Sequence, residues 1–146
     1  MKALIIAAGE GSRLGNLIKD KPKPLVRLLG LSLVKRVILT AKEVGIDEFI
    51  IVIGYLGERV KEKLGDGNRY GVKITYVENR EWERGDGVSV LKAKESLKEN
   101  CIDTGIFLCS PKIFSYIEET VKEGREEFAD GIAQAAKNRA YLRFSV

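Results

Sequence analysis

Two groups of residues near the amino terminus have the types and spacing to handle phosphate. The first is Ala7-Ala8-Gly9-Glu10-Gly11-Ser12-Arg13-Leu14. Glycines let a backbone approach a ligand closely and turn its N–H groups toward phosphate oxygens. Arg13 can fork onto such oxygens. The second group is Lys21-Pro22-Lys23-Pro24-Leu25, where the flanking prolines stiffen the chain and fix the direction of Lys23. Arg13 and Lys23 together could neutralise charge that builds on a phosphate under attack. The loop is not a dinucleotide fingerprint. Leu14 stands where a third glycine is needed, and the second apolar segment ends in Gly54-Tyr55 rather than an acid. The Gly-Lys-Ser/Thr of a Walker A loop does not occur.

The elements that must hold these groups alternate along the chain. Residues 3–8 form a short continuous apolar run, as in a strand buried on both faces. Residues 9–24 read as a loop. From Ser32, which can cap, the positions Leu33, Val34, Val37, Ile38, Ala41 and Val44 keep helical spacing up to Gly45. A second buried strand at 49–53 precedes a helix that carries Leu56, Val60 and Leu64 and closes at Gly65. Residues 72–77 alternate as a third strand, 88–97 read as a helix, and 101–109 as one further strand. Ser110-Pro111 should start a helix that ends at Gly124. A short helix at 128–136 and a last strand at 141–146 complete the reading. The βαβαβα order predicts an α/β fold with a doubly wound, mostly parallel sheet over residues 1–146 as a single domain. Ligands then belong at the carboxyl ends of the strands, where the first loop lies.

Composition bounds the chemistry. The 146 residues contain no histidine, so the usual general base and metal ligand are both missing. Chemistry must rest on carboxylates, lysine, arginine or a metal ion. Lys and Arg number 25 against 21 acidic residues, a net charge of +4. That suits anionic small molecules and falls short of a nucleic-acid footprint. No apolar run approaches the roughly 18 residues of a membrane span. The first apolar stretch is short and lacks a basic leader, so a buried strand is expected rather than a signal peptide. Read as one strand, 101–109 would hold Cys101 and Cys109 about 26 Å apart, beyond disulfide reach. Reduced thiols fit the cytoplasmic setting expected here. Abundant Lys and Glu with a single Met lean toward a thermophile source.

The first loop, followed by Pro22-Lys23-Pro24-Leu25, Gly30 and Arg36, resembles the signature of nucleotidyltransferases that activate sugar and polyol phosphates. Glu78-Asn79 and Gly85-Asp86-Gly87-Val88-Ser89-Val90-Leu91-Lys92-Ala93 resemble the inositol-1-phosphate cytidylyltransferase branch. Ile102-Asp103-Thr104-Gly105-Ile106-Phe107 and Glu127-Phe128-Ala129-Asp130 are similar to later segments of the family. The resemblance implies a Rossmann-like nucleotidyltransferase fold. It also implies a reaction in which an acceptor phosphate attacks the α-phosphate of a nucleoside triphosphate, CTP being expected, and releases pyrophosphate. Arg13 and Lys23 would be the catalytic pair. Ala7, Ala8, Gly9, Glu10, Gly11, Ser12 and Gly87 would bind the nucleotide. Ser89, Asp103 and Glu127 would serve the acceptor, a phosphorylated polyol or sugar. In-line displacement asks mainly for positioning and charge neutralisation, which these residues can supply without histidine.

The resemblance further implies Mg²⁺ held by two aspartates, and neither of their segments is matched. Asn100 runs straight into Cys101-Ile102-Asp103. The expectation is therefore an incomplete domain with a junction between Asn100 and Cys101 and a second aspartate beyond Val146. The metal ligands stay unassigned. Asp86, Asp103 and Asp130 read as solvated turn carboxylates, and Asp86 stands where close relatives tend to carry an amide. The rival reading is a non-catalytic nucleotide- or phosphosugar-binding module that lacks the metal site. A partner subunit could complete the second half, so a homo-oligomer stays open. Trp82 and Tyr55 read as packing residues.

Overall fold

In a computed structural model, residues 2–12, 15, 21–97, 101–103, 107–109 and 112–138 are described, with the backbone alone for 101–103 and 107–109. Strand β1 (Lys2–Ala7) and strand β4 (Glu48–Ile53) are continuous apolar runs, and their alternating side chains enter two different cores. Ala3, Ile5 and Ala7 join Phe49, Ile51 and Ile53 on one face, under helix α1 (Leu33–Glu43) and helix α2 (Gly57–Leu64). Leu4 and Ala8 join Ile50 and Val52 on the other. That face is covered by helices α3 (Asp86–Lys92), α4 (Ile113–Lys122) and α5 (Phe128–Lys137). A sheet wetted on neither face needs strands apolar at every position, which is why these runs are unbroken.

Strand β5 (Lys73–Glu78) pairs parallel with β4, and β4 pairs parallel with β1. On the other side of β1 lies strand β6 (Cys101–Asp103), also parallel, followed by strand β7 (Phe107–Cys109). The sheet order is β5-β4-β1-β6-β7. The chain thus builds outward from β1 through β4 to β5 and then returns to β1's opposite edge. This reversal makes the carboxyl end of β1 the topological switch point, where such sheets open a crevice. The doubly wound, mostly parallel architecture is as the sequence predicts.

Three features differ from the sequence reading. The segment 101–109 is two strands, because β7 runs antiparallel to β6 and sets Cys101 opposite Cys109. The two cysteine backbones therefore face each other across a ladder instead of lying far apart along one strand. Residues 104–106, between the two strands, lie outside the described residues. The helix expected at 88–97 begins two residues earlier and ends at Lys92. A 3₁₀ turn at Lys94–Ser96 follows. Finally, strands β2 (Arg27–Leu28) and β3 (Leu31–Ser32) form a small hairpin. Leu29 and Gly30 turn it with φ of 51° and 83°, the left-handed pair that a two-residue hairpin demands. The expected start at Ser110-Pro111 and strand at 141–146 lie outside the described residues.

Candidate functional site

The loop after β1 is built around two close approaches. Ala8 is fully buried, and its carbonyl accepts the Tyr55 N–H at 2.8 Å. This ties the loops that follow β1 and β4 to each other. Gly54 makes the approach feasible, since a Cβ there would lie 2.7 Å from Ala8 O and 2.7 Å from Trp82 Cβ. Tyr55 and Trp82 meet edge to face with ring centroids 5.4 Å apart. Both are packing residues, as expected, and together they brace the glycine loop from behind.

Lys23 sits in a 3₁₀ turn, Lys23–Leu25, in which Leu25 N–H donates to Pro22 O at 2.8 Å and Val26 N–H to Lys23 O at 3.1 Å. Leu33 N–H donates to Val26 O at 2.9 Å and anchors this turn to the start of α1. Pro22 is buried while Lys23 is exposed. The rigid turn thus presents one ammonium group outward.

A cleft of about 520 Å³ opens at the carboxyl end of β1. Ala7, Gly9, Gly11, Ser12, Lys23 and Glu127 all line it, together with Asp86 and the apolar Leu33, Val34 and Val37. Six of the residues singled out by sequence are therefore brought to one cavity from three separate stretches of chain. Ala8 lies buried behind the cleft, and Glu10 is exposed. Arg13 lies outside the described residues, as does the side chain of Asp103, whose backbone is in β6 beside Leu4. A second cavity of about 420 Å³ lies at the amino ends of β1, β4 and β5, lined by Lys2, Glu48, Lys73 and Glu95. Its charges are balanced and Lys2 pairs with Glu48 at 3.8 Å. The switch point favours the first cavity as the site.

Asp86 and Glu127 reach the cleft from a clasp between residues 84–87 and 126–128. Gly87 N–H donates to Glu126 O at 2.9 Å, and Phe128 N–H donates to Asp86 Oδ1 at 2.7 Å. Arg84 donates through Nε and Nη2 to Glu126 Oε1 at 2.9 and 2.6 Å. A Cβ on Gly85 or Gly87 would stand 2.7 or 2.5 Å from Glu126 O, so both glycines are needed for this approach. Asp86 is therefore not the idle turn carboxylate expected from sequence. Its partner lies 42 residues later in the chain and is invisible to local reading. Asp130 lies 3.9 Å from Arg125 in the first turn of α5.

Ser89 is 2% exposed and accepts a hydrogen bond from Asn79 Nδ2 at 2.9 Å. Asn79, fully buried at the end of β5, also accepts Glu81 N–H at 2.9 Å. Sequence reading registered Glu78-Asn79 only as a resemblance, although a polar residue at the end of a buried strand is itself a signal. On the rim, hydrogen bonds from Lys92 and then Arg84 hold the Glu81 carboxyl below its usual range. Glu126 and then Glu81 push the Arg84 guanidinium up. These exposed pairs orient the 81–92 segment and add little stability.

Among the described residues no group of three or more His, Cys, Asp or Glu side chains gathers to hold a metal ion. Asp86 and Glu127 share the cleft, but one Asp86 oxygen is engaged by Phe128 N–H. Among the described residues, too, no helix is long and apolar enough to cross a membrane.

Comparison with known proteins agrees with this geometry. A family model described as nucleotidyl transferase matches residues 2–100. An N-acetylmuramate alpha-1-phosphate uridylyltransferase of Neisseria meningitidis is 41% identical over 76 residues, 52% of this chain and 33% of that protein. A bifunctional IPC transferase and DIPP synthase of Rubrobacter xylanophilus is 38% identical over 101 residues, 68% of this chain and 22% of that protein. The chain thus spans a third or less of the length of these curated relatives. A CTP:phosphocholine cytidylyltransferase of Streptococcus pneumoniae shares the fold, with a TM-score of 0.71 at 21% identity over 98% of this chain and 87% of that one. The inositol-1-phosphate CTP transferase of T. maritima superposes with a TM-score of 0.57 at 29% identity, over 79% of this chain and 47% of that one.

Proposed function

Because the chain belongs to the nucleotidyl transferase family, we propose that it transfers a nucleoside monophosphate from a nucleoside triphosphate to the phosphate of a polyol or sugar. CTP is the donor and inositol 1-phosphate the acceptor of first choice. The likeness to the inositol-1-phosphate CTP transferase and the IPC transferase supports that choice. The observation that carries the reading is the convergence of Gly9, Gly11, Ser12, Lys23 and Glu127 on one cleft at the switch point.

In this reading the acceptor phosphate oxygen attacks the α-phosphorus in line, and the bond to the bridging oxygen breaks to release pyrophosphate. The backbone of residues 7–12 cradles the base and triphosphate, with Ala8 fixing the loop from its buried position. Lys23, held in its turn, neutralises charge on the α-phosphate or the acceptor phosphate. Arg13 and Glu10 are assigned to the triphosphate. Glu127 accepts hydrogen bonds from acceptor hydroxyls, with Asp103 assigned to the same side. Gly87 belongs to the base-side wall, and buried Ser89 supports that wall through Asn79. Mg²⁺ is the cofactor expected with such a donor, and its ligands are sought outside the described residues. A cytoplasmic setting, where both substrates would be met, is part of the same proposal.

The test is pyrophosphate release from CTP and inositol 1-phosphate in the presence of Mg²⁺. Wild-type protein is expected to turn over, and Lys23→Ala and Arg13→Ala to lose activity. Binding of CTP by calorimetry without turnover would instead favour the reading of a non-catalytic nucleotide- or phosphosugar-binding module.

A further inference from the structure

Helix α5 begins in an unusual way. Glu127 occupies its N-cap position, yet the Glu127 side chain makes no capping hydrogen bond. The first N–H groups of a helix need acceptors, and here the one at Phe128 is met by Asp86 Oδ1 at 2.7 Å from 42 residues away. Asp86 is itself the first residue of α3, so its carboxylate sits at the amino ends of two helices at once. Both Asp86 and Glu127 line the cleft. The backbone bond from Gly87 N–H to Glu126 O closes the same clasp, one residue after Asp86 and two before Phe128.

We infer that Asp86 is a positioning residue which, by capping α5 in place of Glu127, sets the Glu127 carboxylate on the cleft wall and so tunes affinity for the hydroxyl-bearing acceptor. The inference rests on the acceptor role proposed above for Glu127. An amide at position 86 would still offer Oδ1 to Phe128, so the acceptor atom is what the clasp requires. The negative charge adds attraction to two helix amino termini. The triphosphate is assigned mainly to residues 7–12 and Lys23, in other stretches of the chain, so its affinity is expected to depend less on this clasp.

Calorimetric titration of CTP and of inositol 1-phosphate into wild type, Asp86→Ala and Asp86→Asn tests this, together with the two Michaelis constants. Asp86→Ala is expected to weaken inositol 1-phosphate about tenfold, the order of one lost charge-assisted hydrogen bond, while CTP changes less than about twofold. Asp86→Asn is expected to recover most of the loss. In a Glu127→Gln background Asp86→Ala should add nothing, which a purely structural role would not predict. Should Asp86→Ala not fold, Asp86→Glu carries the test, since its carboxylate is displaced by one methylene and predicts the same selective loss. Equal weakening of both ligands, an unchanged acceptor affinity, or an Asp86→Ala effect that persists in Glu127→Gln would overturn the inference alone. A wild-type protein that binds neither ligand would overturn the proposed function, and the inference with it.

Discussion

Replacing Gly54 by alanine puts one methyl group where the packing has no room for it. Its Cβ would lie 2.7 Å from Ala8 O, 2.7 Å from Trp82 Cβ and 2.9 Å from Trp82 Cγ. Ordinary contacts between such atoms are about 3.5–4.0 Å, so each neighbour must give by roughly 1 Å. Neither neighbour is the loose end of a flexible side chain. One is a backbone carbonyl fixed by Tyr55 N–H, and the other is the root of a ring packed against Tyr55 and the core. The cost should fall in the upper part of the range for overpacking, about 2–3 kcal/mol. For a chain of this size that is a fall in Tm of about 6–10 °C. Trp82 is the sole tryptophan, so its fluorescence reports the displacement directly. Emission should shift to the red, and CTP affinity should fall about tenfold as Gly9 moves with Ala8. A Gly54→Ala protein that keeps the wild-type Tm and emission would refute the argument that this glycine holds the loop.

Three further outcomes follow from the packing. Asn79→Ala removes both bonds of a fully buried amide, to Ser89 Oγ and from Glu81 N–H; urea unfolding should show a loss of about 2–3 kcal/mol. Gly131→Ala would place a Cβ 2.6 Å from Ile117 Cγ1 and 3.2 Å from Ile117 Cα, so α4 and α5 must part; denaturation should register about 1–2 kcal/mol. Tyr76, whose hydroxyl donates to Gly65 O at 2.7 Å, has its pKa pushed up to about 12, first by burial and then by Tyr70. Its contribution to stability is whole below about pH 10, where the unfolded phenol keeps its proton. That contribution is lost as pH rises from there to about 12, where the folded phenol ionises. Ultraviolet titration should show a late phenol step that Tyr76→Phe removes; a titration left unchanged by that substitution would contradict it.

The sheet was legible because β1 and β4 are apolar at nearly every position, a pattern that only a doubly covered strand requires. The turn at Lys23 was legible for a similar reason, since two prolines leave the backbone few choices. Long-range partners were not. Nothing near Asp86 in sequence points to Phe128, and nothing near Gly54 points to Ala8 or Trp82. These contacts exist only once α5 and the loop after β4 have docked. The reading of 101–109 as one strand failed because apolar residues suit either direction of pairing. Gly87 is assigned to the nucleotide from sequence, and the approach of Glu126 O gives it, and Gly85 with it, a further reason to lack a side chain.

We propose that the cleft at the carboxyl end of β1 performs nucleotidyl transfer through Lys23. Pyrophosphate release from CTP and inositol 1-phosphate, measured side by side for wild type and Lys23→Ala with the Tm of each recorded, tests it most directly. Turnover is expected from the wild type, and a loss of at least about a hundredfold in Lys23→Ala at unchanged Tm, because Lys23 is exposed. Equal activity in the two proteins, or a wild type that releases no pyrophosphate, would contradict it.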